Sequence, residues 1–184
     1  GRIINTKFKY NGKTAQELTI YAPSLPHMRE GFFASLPNYI YDDTSIIMGG
    51  DFNMVEDPIL DRRGGVLRSE QTNGLINLQK LKDKYNLCDK WRLENQNATE
   101  YTWISRKPGE NIRSRLDRFY ITPPLRHNST EVLYTVWSDH CLVILTVTLG
   151  KPEQRGQNYW KLNTEVLQEG EYRDGMKRLL QQQQ

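Results

Sequence analysis

The sequence carries a set of polar side chains whose types suit the hydrolysis of a phosphodiester bond. They are a tyrosine, three carboxylates, an amide and a histidine, namely Tyr21, Asp51, Asn53, Asp117, Asp139 and His140. Carboxylate oxygens are the ligands that hard divalent cations prefer. A histidine can donate to a phosphoryl oxygen or move a proton near neutral pH. Since each residue singly has an ordinary structural explanation, the prediction of a hydrolytic site rests on the whole set.

Asp51 and Asn53 follow a mainly apolar run, residues 45–48, and the two glycines after it. Such a run predicts a strand buried on both faces, and the glycines predict its sharp end. In an extended chain, side chains two residues apart point the same way, so the carboxylate and the amide are predicted to converge. The pair suits a phosphate or a metal-bound water. The alternative that this stretch leaves open is an ordinary Asp/Asn turn at a strand end.

The first twenty-two residues predict a β-hairpin that ends at Tyr21. Residues 2–9 alternate in polarity, Asn11-Gly12 provides a two-residue turn, and residues 17–22 form the returning strand. Tyr21 therefore lies at a strand end, two residues before a proline. A core or interface tyrosine is the alternative for this position.

Two helices and a charged loop are predicted in the middle of the chain. Residues 27–41 carry apolar side chains at helical spacing, and Ser69 is predicted to cap a second helix that continues to Tyr85. Residues 54–68 are predicted to form a loop that contains Arg62. Loops that follow a site strand often touch the substrate, and the alternative is solvated loop charge.

The second half of the chain is predicted to supply four further strands, over residues 101–105, 114–122, 131–137 and 141–149. Residues 89–92 are interpreted as an irregular turn. The continuous apolar run of the last strand predicts a position near the centre of a sheet. Asp117 lies on the second of these strands, and Asp139 and His140 lie between the last two.

Composition indicates a soluble globular protein with one moderate domain and an appendage. The chain has 184 residues, of which 37% are hydrophobic and 26% charged, and a formal net charge of +3. No apolar run is long enough to span a membrane, so we expect no membrane association. Cys88 and Cys141 lack the spacing of a metal site, which is typical of reduced packing residues in an intracellular protein. The small positive charge permits a polyanionic partner without requiring one.

Three motifs, in this order along the chain, resemble those of the endonuclease/exonuclease/phosphatase superfamily: Gly50-Asp51-Phe52-Asn53, Arg115-Leu116-Asp117-Arg118 and Ser138-Asp139-His140. Within the superfamily, the chain is most similar to the apurinic-like endonuclease of LINE-type retrotransposons. The segments Ile20–Pro23, Asp61-Arg62 and Tyr101–Trp103 are also similar to that endonuclease. Residues 159–163 resemble the segment that leads toward the reverse transcriptase in such polyproteins.

The resemblance implies a catalytic role for each matching residue. Asp51 would activate or orient the attacking water, and Asn53 and Tyr21 would hold the scissile phosphate. His140 would act as a base or as an electrostatic stabiliser, with Asp117 behind it. The division of labour between Asp51 and His140 stays open at this point.

The resemblance also implies a metal cofactor and a DNA partner. Asp139 and Asp51 would hold Mg²⁺, or Mn²⁺ in its place. The positions that match contacts to the DNA backbone are Arg62, Thr102 and Ser138. We expect an intracellular location, in the nucleus for the parent protein, and the sequence indicates no oligomeric state.

The fold implied by the family is α/β, a four-layer α-β-β-α sandwich of the DNase I-like type, incomplete at its N-terminus. The family carries an Asn and a principal metal ligand, a Glu, on strands that would precede Gly1. Residues 1–149 would then be the C-terminal two thirds of the nuclease domain, and residues 150–184 a linker and helical extension toward a missing reverse transcriptase. A fragment of this kind is expected to be inactive alone.

Two alternative functions stay open. One is a non-catalytic fragment that binds nucleic acid or another partner. The other is a phosphatase of the same superfamily that acts on a lipid or inositol head group. Arg62, Thr102 and the segment from Tyr159 favour nucleic acid over the head group.

Overall fold

The computed structural model describes residues 1–10, 12–66, 69–123 and 125–149, together with Gly170, Asp174 and Arg178. Internal contacts divide the chain into two units, Gly1–Lys151 and Pro152–Gln184. The first unit carries every predicted site residue. The predicted linker over residues 150–158 and helix over residues 163–180 lie outside the described residues, except for the three residues of the second unit, which are helical.

The described residues of the first unit form nine β-strands and three α-helices. In chain order these are β1 (Ile3–Tyr10), β2 (Lys13–Tyr21), α1 (Arg29–Ser35), β3 (Ser45–Asp51), β4 (Arg62–Arg63), α2 (Leu75–Tyr85), α3 (Lys90–Glu94), β5 (Trp103–Ile104), β6 (Arg113–Ser114), β7 (Asp117–Ile121), β8 (Leu125–Leu133) and β9 (Leu142–Leu149). None of these helices combines the length and the apolar character needed to cross a bilayer.

A mixed four-stranded sheet in the order β1-β2-β3-β7 is the centre of the first unit. The predicted hairpin forms, with β1 antiparallel to β2, while β2 runs parallel to β3 and β3 antiparallel to β7. In this register Tyr21 lies opposite Asp51, and Asp51 lies opposite Asp117. The pairing therefore sets three of the predicted site residues side by side at one end of the sheet.

Helices α1 and α2 cover one face of this sheet and form the main core with it. On the sheet side, the buried side chains are Leu18 and Ile20 of β2, Ile46 and Met48 of β3, and Tyr120 of β7. On the helix side, they are Phe33 of α1, Leu36 of the turn after it, and Leu78 and Leu81 of α2. Phe52, which directly follows β3, stacks on Phe33 at 6.2 Å and meets Tyr120 edge-on at 5.1 Å. The residue between Asp51 and Asn53 is thus fixed in the core, which holds its polar neighbours at the sheet edge.

Gly50 permits the close approach of β2 and β3 at the end that carries the site. Its φ is +134°, and a Cβ placed there would lie 1.9 Å from the carbonyl oxygen of Ile20. Any side chain at this position would push the two strands apart and separate Tyr21 from Asp51.

The other face of β7 lies toward the β8-β9 pair. Phe119 alternates with Tyr120 along the strand and therefore points away from the helices. It lines a small cavity of about 10 Å³ with Thr130, Val132 and Val143. A third sheet, in the order β4-β6-β5, approaches the same region, where Trp103 forms an isolated bridge with His140.

Several local predictions differ from the observed elements. The predicted helix over residues 27–41 is divided into a 3-10 turn at Pro26–Met28, the short α1, and a second 3-10 turn at Leu36–Tyr39. Pro37 has no N–H to continue the α-helical hydrogen bonds, and α1 ends at Ser35. Ser69 lies in a separate 3-10 turn, and Gly74 is the N-cap of α2 instead.

Further differences lie in the second half of the chain, where the strand predicted over residues 131–137 is observed as β8 at Leu125–Leu133. Asp89 accepts a hydrogen bond from the backbone N–H of Arg92 at 3.0 Å and caps α3, where an irregular turn was expected. The prediction of β9 near a sheet centre is wrong for the described residues, in which β9 pairs only with β8 and leaves Leu142 and Ile144 exposed. An apolar run indicates that both faces of a strand could be buried. How many other strands pair with it depends on the tertiary structure.

Candidate active site

Two carboxylates and a histidine meet at the end of the central sheet. Ligand atoms of Asp51, Asp117 and His140 all lie within 4.8 Å of one another, and each side chain is partly buried. Asp51 and Asp117 are brought there by strand pairing, and His140 by the turn between β8 and β9. Residues distant in sequence therefore form one cluster of titratable groups.

Asp51 is held by Asn53 through a tight local turn. The backbone N–H of Asn53 donates to Asp51 Oδ1 at 2.8 Å, and the side-chain amide donates to Oδ2 at 2.9 Å. Asn53 also donates to the carbonyl of Ala22 at 2.8 Å and has a φ of +49°. The two side chains converge as predicted, but through this left-handed turn and not through extended backbone.

Burial raises the pKa of Asp51 to about 6, and the neighbouring carboxylate of Asp117 also raises it. The backbone hydrogen bond from Asn53 and the charge of His140 act in the opposite direction. A carboxyl group with such a pKa changes protonation near neutral pH. It is therefore suited to accept a proton during a reaction.

His140 is oriented by a chain of hydrogen bonds that begins in the interior. Its Nδ1 lies 2.9 Å from Asp117 Oδ2, which also accepts a hydrogen bond from the Thr102 hydroxyl at 2.7 Å. The hydrogen bond with Asp117 raises the pKa of His140, and the negative charges of Asp117, Asp51 and Asp139 raise it further. Burial of the ring has the opposite effect. Nε2 has no hydrogen-bond partner among the described residues, so this nitrogen is the one available to a substrate.

Thr102 is buried, and its hydroxyl is fully used. Besides donating to Asp117, the oxygen accepts hydrogen bonds from the backbone N–H groups of Leu116 and Asp117, each at 2.9 Å. The residue is 1% exposed. The expected contact between its side chain and a DNA backbone does not fit this position, because the hydroxyl supports Asp117 from behind.

A cleft of about 260 Å³ opens beside the cluster and is lined by two arginines. Its polar walls are formed by Arg29, Asn53, Arg62, Ser114 and His140. Arg62 donates from one terminal nitrogen to Ser114 Oγ at 3.2 Å, and its buried Nε has no hydrogen-bond partner. The positive charge of the Arg62 guanidinium at this cleft suits the binding of an anion.

Arg29 is a cleft residue that the sequence interpretation missed. Its guanidinium is buried and donates to the carbonyls of Pro23 at 3.0 Å and Ser24 at 2.8 Å, and burial lowers its pKa while the charge of Asp51 opposes that shift. The position of Arg29 could have been inferred from its spacing in the sequence. It precedes Phe33 by four residues and Leu36 by seven, so on a helix it lies on the same side as these apolar residues.

Asp139, Ser138 and Tyr21 lie at the edge of the cluster. The Asp139 carboxylate is exposed and accepts a hydrogen bond from the Trp103 indole at 2.9 Å, and this bond lowers its pKa. Ser138 is also exposed, and its hydroxyl accepts from the backbone N–H of His140 at 3.0 Å. Tyr21 is half exposed, with Arg2 over its ring at 5.2 Å. Asp139 is outside the group of metal-ligating atoms found among the described residues.

A buried ion-pair network supports the strand that carries Asp117. Arg115 donates to Asp61 at 2.8 Å and to Asp89 at 2.7 Å, and Arg92 donates to Asp61 at 2.6 Å. Burial by itself would raise the pKa of Asp61, but the charges of Arg115 and Arg118 lower it to about 2. The sequence interpretation placed Asp61 in a loop near substrate, and it is instead fully buried.

No protein-family model matches the chain. Among solved structures, an AP endonuclease from Leishmania major is similar over 79% of this chain and 54% of its own, with 18% sequence identity and a TM-score of 0.64. The 3′ phosphatase NExo from Neisseria, bound to a product DNA hairpin, is similar over 80% of this chain and 65% of its own, with 17% identity and a TM-score of 0.59. This chain has the AP endonuclease fold. The α/β class and the DNase I-like fold expected from the motifs are therefore confirmed.

The sequence is also related to a transposon protein. Over 174 residues it is 30% identical to the Transposon TX1 uncharacterized 149 kDa protein of Xenopus laevis, a match that spans 92% of this chain and 13% of that protein. The homologue confirms the expected resemblance to a transposon-encoded protein, and the solved structures confirm the expected fold. The chain spans a small part of the homologue and about 54 to 65% of the two enzymes described above.

Proposed function

We propose that this chain is part of a metal-dependent DNA endonuclease that hydrolyses phosphodiester bonds to nick the target site of a transposon. The observation that carries the proposal is the cluster of Asp51, Asp117 and His140 beside a cleft lined by two arginines. Further support comes from similarity to AP endonucleases, to an enzyme bound to product DNA, and to a transposon protein. For the parent protein we propose DNA as the partner and the nucleus as the location.

In this proposal the cleft binds the scissile phosphate through its cations. The guanidinium of Arg62 would donate to a phosphoryl oxygen, and Arg29, which lines the same cleft, would contribute positive charge. Charge-assisted hydrogen bonds of this kind are about twice as strong as neutral ones. The phosphate would thereby lie against Nε2 of His140.

The chemical step would use Asp51 and His140 in different ways. Asp51, with its pKa of about 6, would accept a proton from the attacking water, while Asn53 keeps its carboxylate in place. His140, whose raised pKa favours the protonated ring, would stabilise the charge that develops on the phosphate. Asp117 would hold the ring, and Thr102 would hold Asp117.

The residues present fit a hard divalent cation through their carboxylates and not through the imidazole. His140 Nδ1 is engaged by Asp117, and Mg²⁺ takes oxygen ligands in preference to nitrogen. We propose that Asp51 would hold Mg²⁺ or Mn²⁺, while Asp139, the second ligand expected from the sequence, lies outside the group of ligand atoms that includes Asp51. The ion would supply charge neutralisation at the phosphate and lower the pKa of a bound water.

We further propose that this chain alone binds Mg²⁺ weakly and hydrolyses DNA slowly. Both oxygens of Asp51 already accept hydrogen bonds from Asn53, and Asp139 is exposed and bonded to Trp103. Mg²⁺ requires a nearly fixed octahedral geometry, so two such ligands would leave the ion poorly positioned. Poor positioning alone can lower a rate by orders of magnitude.

The test is nicking of a supercoiled plasmid with Mg²⁺, with Mn²⁺ and with EDTA, by this chain and by an N-terminally extended version. We expect metal-dependent nicking by the extended version, trace nicking by residues 1–184, and loss of both in the His140→Ala variant. Equal rates for the two lengths would contradict the proposal of a weak metal site. Binding of DNA without nicking by either length would favour a non-catalytic binding fragment.

A phosphatase activity on DNA ends is the second candidate, because one structure with this fold is described as a 3′ phosphatase. The same cleft could seat a terminal phosphate. Release of inorganic phosphate from a 3′-phosphorylated duplex, without any nicking of plasmid by the extended version, would favour this function over the endonuclease.

A further inference from the structure

The turn before His140 presents Val136 and Trp137 to solvent, together with the ring of Tyr134, whose hydroxyl is bonded to Glu100. Val136 is 80% exposed and Trp137 is 77% exposed, while Trp91 and Trp103 are partly buried. Both exposed residues lie between β8 and β9, on the same turn as Ser138 and Asp139. An exposed tryptophan beside a catalytic cluster suggests contact with a ligand, since tryptophan has a large apolar face to bury.

The backbone of this turn is held in place by several hydrogen bonds. Arg106 donates to the carbonyls of Val136 and Ser138, the residues on either side of Trp137. The Thr135 hydroxyl donates to the carbonyl of His140 at 3.2 Å, and Tyr134 donates to Glu100 at 2.8 Å. These bonds restrain the turn while leaving the Trp137 side chain free, so little backbone entropy is lost when Trp137 binds.

The distance from Trp137 to His140 limits what Trp137 can reach. Three residues of chain span at most about 11 Å, and one DNA strand advances about 3.4 Å per nucleotide. A base in contact with Trp137 would therefore lie within a few nucleotides of a phosphate at His140. Arg106, which donates to the carbonyls on either side of Trp137, adds a positive charge at this turn.

We propose that Trp137 stacks on an unpaired or distorted DNA base that lies a few nucleotides from the phosphate bound beside His140. This inference rests on the proposed endonuclease function and adds a determinant of which DNA the site accepts. Every base has an apolar face, so stacking favours unstacked or flexible DNA over a particular base. Trp137 would thus make the site prefer DNA that is bent, frayed or single-stranded near the nick.

The test measures DNA affinity in EDTA, where no hydrolysis occurs, with residues 1–184 and fluorescent single-stranded and duplex DNA of the same sequence. Trp137→Ala is expected to weaken binding of the single strand by about tenfold, as for other base–aromatic contacts. Trp137→Phe should restore most of the affinity. Tyr10→Ala is the matched control, because this half-exposed aromatic residue ends β1 and pairs with Lys13, at the sheet end opposite Tyr21.

A second readout uses 2-aminopurine in place of single bases along the strand. Its fluorescence should fall on binding at one or two positions, and that change should disappear with Trp137→Ala. Equal affinity and equal fluorescence changes for wild type and Trp137→Ala would overturn the stacking proposal alone. Failure of the wild-type chain to bind any DNA would overturn the proposed function with it. If Trp137→Ala instead dissolves a dimer seen by sedimentation and leaves DNA affinity unchanged, the surface is a contact between copies and the proposal is wrong.

Discussion

Replacement of Asp51 by Asn should stabilise the protein, and the gain should increase with pH. The pKa of Asp51 is raised from 3.8 to about 6. Between these values the folded chain keeps a proton that the unfolded chain has lost, so stability falls as pH rises through this window and remains lower above it. The full cost is about 3 kcal/mol, at about 1.4 kcal/mol for each pKa unit.

Asn at this position approximates the protonated carboxyl group at every pH, so the variant should lack this cost. Linkage gives an expected excess stability of about 1 kcal/mol at pH 4.5 and about 3 kcal/mol at pH 7.5. Urea unfolding of both proteins in EDTA at the two pH values measures it. Asp42→Asn, on an exposed turn, is the control and should change little.

A variant that is less stable than wild type at pH 7.5 would refute this reasoning. It would mean that the hydrogen bonds from Asn53 to the charged carboxylate outweigh burial and the charge of Asp117. The same variant should lose nicking activity in an N-terminally extended protein, because the proposed proton acceptor is gone. Higher stability with lower activity is the expected behaviour of a residue kept for function.

Three other substitutions test the supporting structure and the chemistry. Arg115→Met should lower the free energy of unfolding by about 3–5 kcal/mol in urea, because Asp89 would be left as an unpaired buried charge and Asp61 would keep only its ion pair with Arg92, and a loss below about 1 kcal/mol would contradict the network. Thr102→Val should cost about 2 kcal/mol or more, since two backbone N–H groups lose their acceptor, whereas Thr102→Ser should be close to wild type in the same assay. In an extended protein, His140→Ala should lower the nicking rate by about 10²–10⁴-fold with little change in the dissociation constant for DNA, and equal losses in both would identify His140 as a DNA contact only.

The sequence by itself determined the local features of the site. Alternation and a turn dipeptide specify the first hairpin, and the apolar run followed by glycines specifies a buried strand that ends at Asp51. These features depend on residues that are close in the chain, where periodicity and turn chemistry act directly. The convergence of Asp51 and Asn53 was predictable for this reason, although its left-handed turn was not.

Tertiary structure alone decided which polar groups meet and which are buried. Asp61 and Arg115 are 54 residues apart in the chain, and Thr102 reaches Asp117 across a hairpin. The sequence around Asp61 does not show whether this acid is buried in the core or solvated in a loop. The sequence around Thr102 likewise does not show whether its hydroxyl supports Asp117 or contacts DNA at the surface. Hydrogen bonds and ion pairs between distant segments form only after strand pairing has fixed the register, and that register depends on the packing of both sheet faces at once.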